Sequence, residues 1–165
     1  MKKIILSAAL LLSLNCAFAQ TALPDFSKFP VTTAKEANAA NKNVLQTADY
    51  LLTNPIDKDH SDRMNAARYL MEWMESSPDF TFSFDSHFAA VSKEVDISAI
   101  YIASMAKYQI PANKKVVTSA ESAQIWENFA KYIADPSNNA KPKGELKKMV
   151  DAYKDGKLNE YLAKQ

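Results

Sequence analysis

The densest run of large apolar side chains in this chain is YLMEWMESSPDFTFSF, residues 69–84. In its first half the polar residues fall on one narrow stripe of a helical wheel, so that most of the helix surface is apolar. Pro78 follows, and the residue before a proline is disfavoured in the helical conformation. Phe80, Phe82 and Phe84 then alternate with polar residues, which is typical of an extended segment. We therefore predict a buried central helix, ended near Pro78, and an extended segment that returns to pack on it.

Apolar residues at helical spacing continue on both sides of this run and predict an all-α fold. We expect a single domain of five to seven helices, arranged as helical hairpins around the central helix. Two helices with related apolar layouts precede Pro55 and Pro136, which suggests tetratricopeptide-like stacking, although their spacing differs from the about 34 residues of that repeat. The predicted helices run from Ala34 to about Asn54, from Asp59 or Ser61 to the end of the central run, from Asp85 or Ser86 to about Lys93, from Asp96 to Pro111, from Asn113 or Thr118 to Asp135, from Lys143 to Lys154, and over Leu158–Leu162.

The first nineteen residues have the three parts of a secretory signal peptide. Lys2 and Lys3 are basic, residues 4–14 are apolar, and Ala17-Phe18-Ala19 is a small-x-small cleavage site. The apolar run is too short for a membrane span, which takes about 20 residues. We therefore expect a signal peptide over residues 1–19 and export to the periplasm or the medium, with no transmembrane segment after its removal.

Cys16 raises the alternative of a lipoprotein, because lipid is attached to a cysteine at such a junction. Asn15 argues against it, since a small residue is expected before that cysteine, and cleavage after Ala19 removes Cys16 altogether. The exported chain then has no cysteine for a disulfide, a thiol nucleophile or a cysteine metal site. We expect it to consist of an irregular N-terminal arm over residues 20–33 and an all-α domain over residues 34–165.

Glycine content and charge exclude two classes of function. Gly144 and Gly156 are the only glycines, so the chain lacks the glycine-rich loops that bind phosphates and dinucleotides. The net charge is +1 and the chain contains no basic block, so it has no electrostatic footprint for nucleic acid.

The loop Asp57-Lys58-Asp59-His60-Ser61-Asp62 contains the best candidates for chemistry. Clustered carboxylates such as Asp57, Asp59 and Asp62 suit hard cations, but the glycine turn and ligand spacing of a calcium loop are missing, and helix capping also accounts for the acids. His60 and His87 are the only histidines, and either could act as a general base. Neither lies beside a nucleophile-elbow motif, and the paired Glu72 and Glu75 fit a solvated helix face. We therefore name no catalytic residue, cofactor or metal ligand.

Aromatic and methionine side chains are the remaining functional signal, because both are common at adaptable binding surfaces. Most of them are needed to fill the core. Tyr69, Trp73 and Phe82 are our candidates for contact with a partner or ligand, and Trp73 and Phe82 are preferred because their neighbours in sequence are polar. The sequence therefore favours a non-enzymatic protein that binds a protein or peptide partner in the cell envelope. A carrier of a small apolar ligand or lipid is the alternative, and a hydrolase is the weaker third.

Four runs of sequence resemble a group of exported all-helical proteins of Gram-negative bacteria that have no assigned activity. The runs are LLTNPID at residues 51–57, WMESSPDFTF at 73–82, ASMAKY at 103–108 and GKLNEYL at 156–162. The resemblance extends over most of the chain after the signal peptide. It implies export and a helical fold, and it transfers no functional residue.

Overall fold

All regular structure in the described part of the chain is helical, as the sequence predicts. The computed structural model describes residues 22–57 and 59–164, so that the predicted signal peptide and Cys16 lie outside the described residues. The α-helices are α1 Ala34–Ala39, α2 Asn41–Thr53, α3 Ser61–Ser76, α4 Ser86–Val91, α5 Val95–Ala112, α6 Ser119–Ala134, α7 Gly144–Lys154 and α8 Leu158–Leu162. Two short 3₁₀ turns, Phe26–Lys28 and Pro136–Asn138, complete the secondary structure of these residues.

Helix α5 lies at the centre of the molecule, where it packs against α2, α3 and α6. The expectation that the helix containing Trp73 is the central one is wrong, because α3 keeps an exposed face at Arg68, Glu72 and Glu75. In α5 small side chains such as Ala103 alternate with large ones around the whole helix, which lets three neighbouring helices approach it. The buried residues of α5 are Ile97, Ala99, Ile100, Tyr101, Ile102, Ala103, Ser104, Met105, Ala106 and Gln109.

The segment between α3 and α4, residues 77–85, has no regular structure and lies across the helices. Phe80 and Phe82 return to α3, where their ring centroids are 5.7 and 5.3 Å from that of Trp73. This confirms the predicted packing for these two residues. Phe84 departs from it, since it is 43% exposed and its ring contacts Phe88 at 4.4 Å.

The helix ends agree in part with the caps that the local sequence predicts, which are a capping box at Thr118 and Glu121, Gly156 after α7, and Asp59 or Ser61 before α3. The capping box between Thr118 and Glu121 and the start of α4 after Asp85 are confirmed. Gly156 ends α7 with a φ of +69°, a conformation that residues with a Cβ rarely adopt. The predicted cap at Asp59 or Ser61 is wrong, because α3 begins after His60 without a side-chain cap.

The first predicted helix is divided at Ala40 into α1 and α2. Ala40 stays close to the helical region at φ −88° and ψ −3°, so the division is a local distortion of one helical stretch. The start of α1 has a second capping box, formed by Thr33 and Glu36, which the sequence analysis missed.

The N-terminal arm, whose two phenylalanines Phe26 and Phe29 are expected to dock it onto the body, does so through only one of them. Phe26 stacks on Tyr69 with ring centroids 4.4 Å apart, and Val31 is buried. Phe29 was expected to dock as well, but it is 42% exposed. The arm therefore covers one side of α3, which removes Tyr69 from the surface.

Candidate functional site

Two stretches of irregular backbone meet beside the C-terminal end of α5. The Thr81 N–H donates to the carbonyl oxygen of Lys115 at 2.7 Å. Gln109, whose side chain is fully buried, donates through Nε2 to the carbonyl oxygens of Thr81, Lys114 and Lys115 at 3.3, 3.2 and 3.5 Å. One buried amide therefore ties the 77–85 segment to the loop that precedes α6.

Beyond this contact the two stretches line opposite parts of an open groove of about 640 Å³, which we call the α6 groove. Its size falls within the range of small-molecule and peptide sites. One wall is the end of the 77–85 segment, another is the first two turns of α6, and α8 forms the third. The lining residues are Ser83, Asp85, Thr118, Ser119, Ser122 and Asn159, which are polar, and Val117, Ala120, Ala123, Trp126, Leu162 and Ala163.

The start of α6 is held firmly by its capping box. The Thr118 hydroxyl accepts from the Glu121 N–H at 3.3 Å, and the Glu121 carboxylate accepts from the Thr118 N–H at 2.7 Å. Lys114 adds an ion pair to Glu121 at 3.2 Å. The hydrogen bonds from Thr118, followed by the contact with Lys114, lower the pKa of Glu121 from 4.5 to about 2. The α6 wall of the groove is thus fixed by local hydrogen bonds.

Trp126 contributes to the floor of the groove although it is only 1% exposed. Its Nε1–H donates to Asp85 Oδ2 at 3.2 Å, while Asp85 Oδ1 accepts from the Phe88 N–H at 2.8 Å and caps α4. The indole also packs on Tyr101, with ring centroids 4.5 Å apart, and burial followed by the charge of Asp85 raises the pKa of Tyr101. Asp85 therefore fixes the floor, and both of its oxygens have protein donors.

His87, a residue of α4, contacts α8. It is 5% exposed, and its Nε2 is 3.1 Å from the carbonyl oxygen of Leu162. Its ring is 5.0 Å from that of Tyr161 and 6.2 Å from that of Trp126. In this position His87 holds α8 against α4.

The predicted binding residues are found mainly in the core. Tyr69 is 3% exposed and Trp73 is fully buried, so neither side chain faces solvent. The polar neighbours of Trp73, Glu72 and Glu75, occupy the exposed face of α3, and Trp73 points away from it. Phe82 is partly buried and immediately precedes Ser83 of the α6 groove. A binding role for these residues stays a prediction.

The α6 groove residues themselves were missed by the sequence analysis. Thr118 and Asp85 were predicted to begin helices, and no binding role was predicted for Ser119 or Asn159. The available signal was a concentration of hydroxyl-bearing residues around a helix start, which capping explains equally well. Their convergence depends on α8 folding back against α6, a contact that the local sequence pattern does not specify.

The acidic loop before α3 lines two adjoining clefts. Asp57 and His60 belong to both. The larger, of about 510 Å³, also contains Tyr50, Asp62 and Arg63. Within residues 22–57 and 59–164, no three histidine, cysteine or acidic side chains converge in a way that could hold a metal ion.

Arg63 forms the floor of the larger cleft and was not recognised from the sequence. It is 2% exposed, and its Nε is 3.1 Å from Asp96 Oδ1. Its Nη1 donates to the carbonyl oxygens of Leu51, Asn54 and Pro55 at 3.4, 3.1 and 3.3 Å. This pairing also corrects the prediction for Asp96, which does not cap α5: Glu94 occupies the cap position.

Comparison of the chain with protein-family models, with curated proteins and with solved structures found no match. The resemblance to exported helical proteins therefore stays a prediction. Among the helices described, none has the length and apolar character needed to cross a membrane.

Proposed function

We propose that the protein is a non-enzymatic binding protein of the cell envelope and that the α6 groove takes a peptide segment of a protein partner. The observation that carries this proposal is the mixed lining of the groove. Hydroxyl and amide groups from Ser83, Ser119 and Asn159 surround a floor that includes Trp126 and Leu162. A peptide presents hydrogen-bonding groups and apolar side chains together, so it complements such a lining.

Two exposed apolar side chains are neighbours in sequence of lining residues, although neither lines the groove itself. Phe84 lies between the lining residues Ser83 and Asp85 and is 43% exposed. Val116 immediately precedes the lining residue Val117 and is 57% exposed. Because Phe84 packs on Phe88, the proposal is carried by the lining of the groove and not by these two side chains.

The alternatives receive less support from the same geometry. A lipid carrier needs an enclosed apolar cavity, whereas the α6 groove opens to solvent and has a polar rim. A hydrolase needs a general base at the groove, but the lining contains no histidine, and both oxygens of Asp85 accept hydrogen bonds that hold the fold.

Site-specific photo-crosslinking in cells tests the proposal. We would place a benzoylphenylalanine at Ser119, which lines the groove, and separately at Gln124, an exposed residue of α6 that does not. We expect a discrete cross-linked protein from position 119 and none from position 124. Mass spectrometry of the adduct would then identify the partner's segment.

A second pair of variants tests whether the groove itself is occupied. Asn159→Trp fills the groove from α8, while Glu160→Trp places the same bulk on an exposed neighbour outside it. We expect the adduct from position 119 to disappear with Asn159→Trp and to persist with Glu160→Trp. No adduct at all, or an adduct that both variants leave unchanged, would contradict the proposal.

A further inference from the structure

The two most exposed large apolar side chains in the described part of the chain lie on one surface. Met64 of α3 is 63% exposed and Val95 of α5 is 62% exposed. Both line the smaller cleft beside the acidic loop, of about 170 Å³, which is closed by Ala67 at its base. Exposed apolar groups that converge on a cleft indicate a contact site more strongly than scattered ones do.

Negative charge surrounds this cleft on the side of the loop. Asp57, Asp59 and Asp62 are all exposed, and no lysine or arginine among residues 22–57 and 59–164 forms an ion pair with them. The loop over residues 57–62 has three aspartates and one lysine, so its formal charge is −2 with His60 neutral. The aspartate nearest the ring of His60 is Asp62, at 4.0 Å from Nδ1.

The neighbouring Tyr50 responds to this charge. Burial is the main cause of its raised pKa, and Asp62 and Asp57 raise it further, while Arg63 acts in the opposite direction. The positive charge of Arg63 is already paired with Asp96. The unpaired carboxylates at the surface therefore make the electrostatic potential of this surface negative. We call the surface formed by Met64, Val95, Asp57, Asp59 and Asp62 the acidic apolar patch.

We propose that the acidic apolar patch docks a cationic segment of a protein partner that also carries apolar side chains. Met64 and Val95 would bury the apolar side chains of that segment. Asp57 lines the cleft beside them, and Asp59 and Asp62 of the same loop would add to its attraction for lysines or arginines. A second copy of this chain is a poor occupant, because a two-fold contact through the patch would bring like charges together. The patch shares no lining residue with the α6 groove, so the two proposals stand or fall separately.

The test uses the full chain and a short labelled peptide of alternating leucine and lysine, measured by fluorescence anisotropy at low and high salt. We expect saturable binding that weakens as salt rises, because exposed charges are screened beyond a Debye length of about 8 Å at physiological ionic strength. Two control peptides each lack one required property. A peptide of leucine and glutamate has no positive charge, and a peptide of glycine and lysine has no large apolar side chain. We expect each to bind at least about tenfold more weakly.

Matched variants then locate the binding. Met64→Ser with Val95→Ser should weaken binding about tenfold, and so should Asp57→Asn with Asp59→Asn and Asp62→Asn. Val116→Ser removes an apolar side chain of similar exposure elsewhere, and Glu75→Gln removes an exposed charge at the other end of α3; both should leave binding unchanged. Circular dichroism checks that each variant is folded, which is expected because all the substituted residues are exposed.

Four outcomes of the binding measurements would overturn the proposal. They are no binding, equal binding of all three peptides, equal loss with Val116→Ser, and loss with the aspartate variant alone, which would indicate charge attraction without docking. Analytical sedimentation of the chain tests whether a second copy of the chain binds at the patch. Self-association that Val95→Ser abolishes would assign the patch to a second copy and would equally overturn the proposal.

Discussion

Arg63 is a buried cation whose hydrogen bonds join three parts of the fold. It contacts the carbonyl oxygens at the end of α2, Asp96 at the start of α5 and the Tyr132 hydroxyl of α6, which is 3.3 Å from Nη2. Tyr132 in turn donates to the Asn54 carbonyl oxygen at 2.7 Å. A buried guanidinium is stabilising only when such partners replace its lost hydration, and here they do.

Arg63→Met should therefore be strongly destabilising. The substitution keeps the apolar stem but leaves Asp96 and the carbonyl oxygens of α2 without their donor, and removing one partner of a buried pair costs about 3 kcal/mol or more. Urea denaturation would measure the change in the free energy of unfolding. Arg68→Met, at an exposed position of the same helix, should change it by less than about 0.5 kcal/mol. Equal effects of the two substitutions would refute this role for Arg63.

Gln109 has a corresponding role for the irregular segments beside the α6 groove. Gln109→Leu removes the donor to three carbonyl oxygens and should lower the free energy of unfolding by about 2 kcal/mol. The loss is partly offset, because the substitution also removes Gln109 Oε1, a buried oxygen with no hydrogen-bond partner in the described residues. Hydrogen exchange at the Thr81 amide, which is bonded to Lys115, should become faster. Gln124→Leu, on the exposed face of α6, is the control. Unchanged exchange at Thr81 would show that Gln109 does not hold the segment.

Sequence reasoning fails at residues such as Trp73 and Arg63 for a shared physical reason. The polar neighbours of Trp73 left its burial open, and the local sequence gave no sign that Arg63 is buried. Burial depends on which helix covers a residue, and for Arg63 the covering groups come from α2, α5 and α6. Such contacts between distant parts of the chain leave no periodic trace in the sequence around the residue.

Single elements were easier to predict than their arrangement. Caps and breakers act locally, so the box at Thr118 and Glu121, the stop at Pro136 and the turn at Gly156 could be recognised from neighbouring residues. The central position of α5 was harder, since alanines give a weak hydrophobic signal but permit close packing of helices on all sides.

The stability of the chain should fall at low pH because Glu121, in the first turn of α6, becomes protonated there. The pKa of this carboxyl is lowered from 4.5 to about 2 by Thr118 and Lys114, so its ionised form is favoured in the folded chain. Its contribution to the free energy of unfolding is complete above pH 4.5, the unfolded value, and is lost as the pH falls toward about 2. Below that range both states bind the proton, and the contribution is gone.

Glu121→Gln isolates this effect, because the amide oxygen can still accept from Thr118 but does not titrate. Urea midpoints of the natural chain and the variant should differ most at neutral pH and converge between pH 4.5 and about 2. For Glu127→Gln, an exposed substitution on the same helix, the urea midpoint should change with pH in the same way as that of the natural chain. A constant difference between Glu121→Gln and the natural chain across this range would contradict the assignment.

In the whole molecule, the two proposed surfaces are formed by different pairs of helices. The α6 groove lies at the start of α6 and α8, and the acidic apolar patch lies at the starts of α3 and α5. The α6 groove includes the helix caps Asp85 and Thr118, whereas α3 and α5 begin beside the patch without a side-chain cap. A chain with two such surfaces could hold two partner segments at once, and avidity would then exceed either affinity.

Export is the prediction on which the envelope role depends, and it can be tested on the whole chain. Expressed in a Gram-negative host, the mature protein should begin at Gln20, as intact mass and N-terminal sequencing would show. Ala19→Arg should block processing, because the site requires a small residue there. Cys16→Ser should leave both processing and mass of the mature chain unchanged, since cleavage removes that residue. Loss of processing with Cys16→Ser, or a mature mass that includes lipid, would instead establish a lipoprotein, and the partner would then have to be sought at a membrane surface.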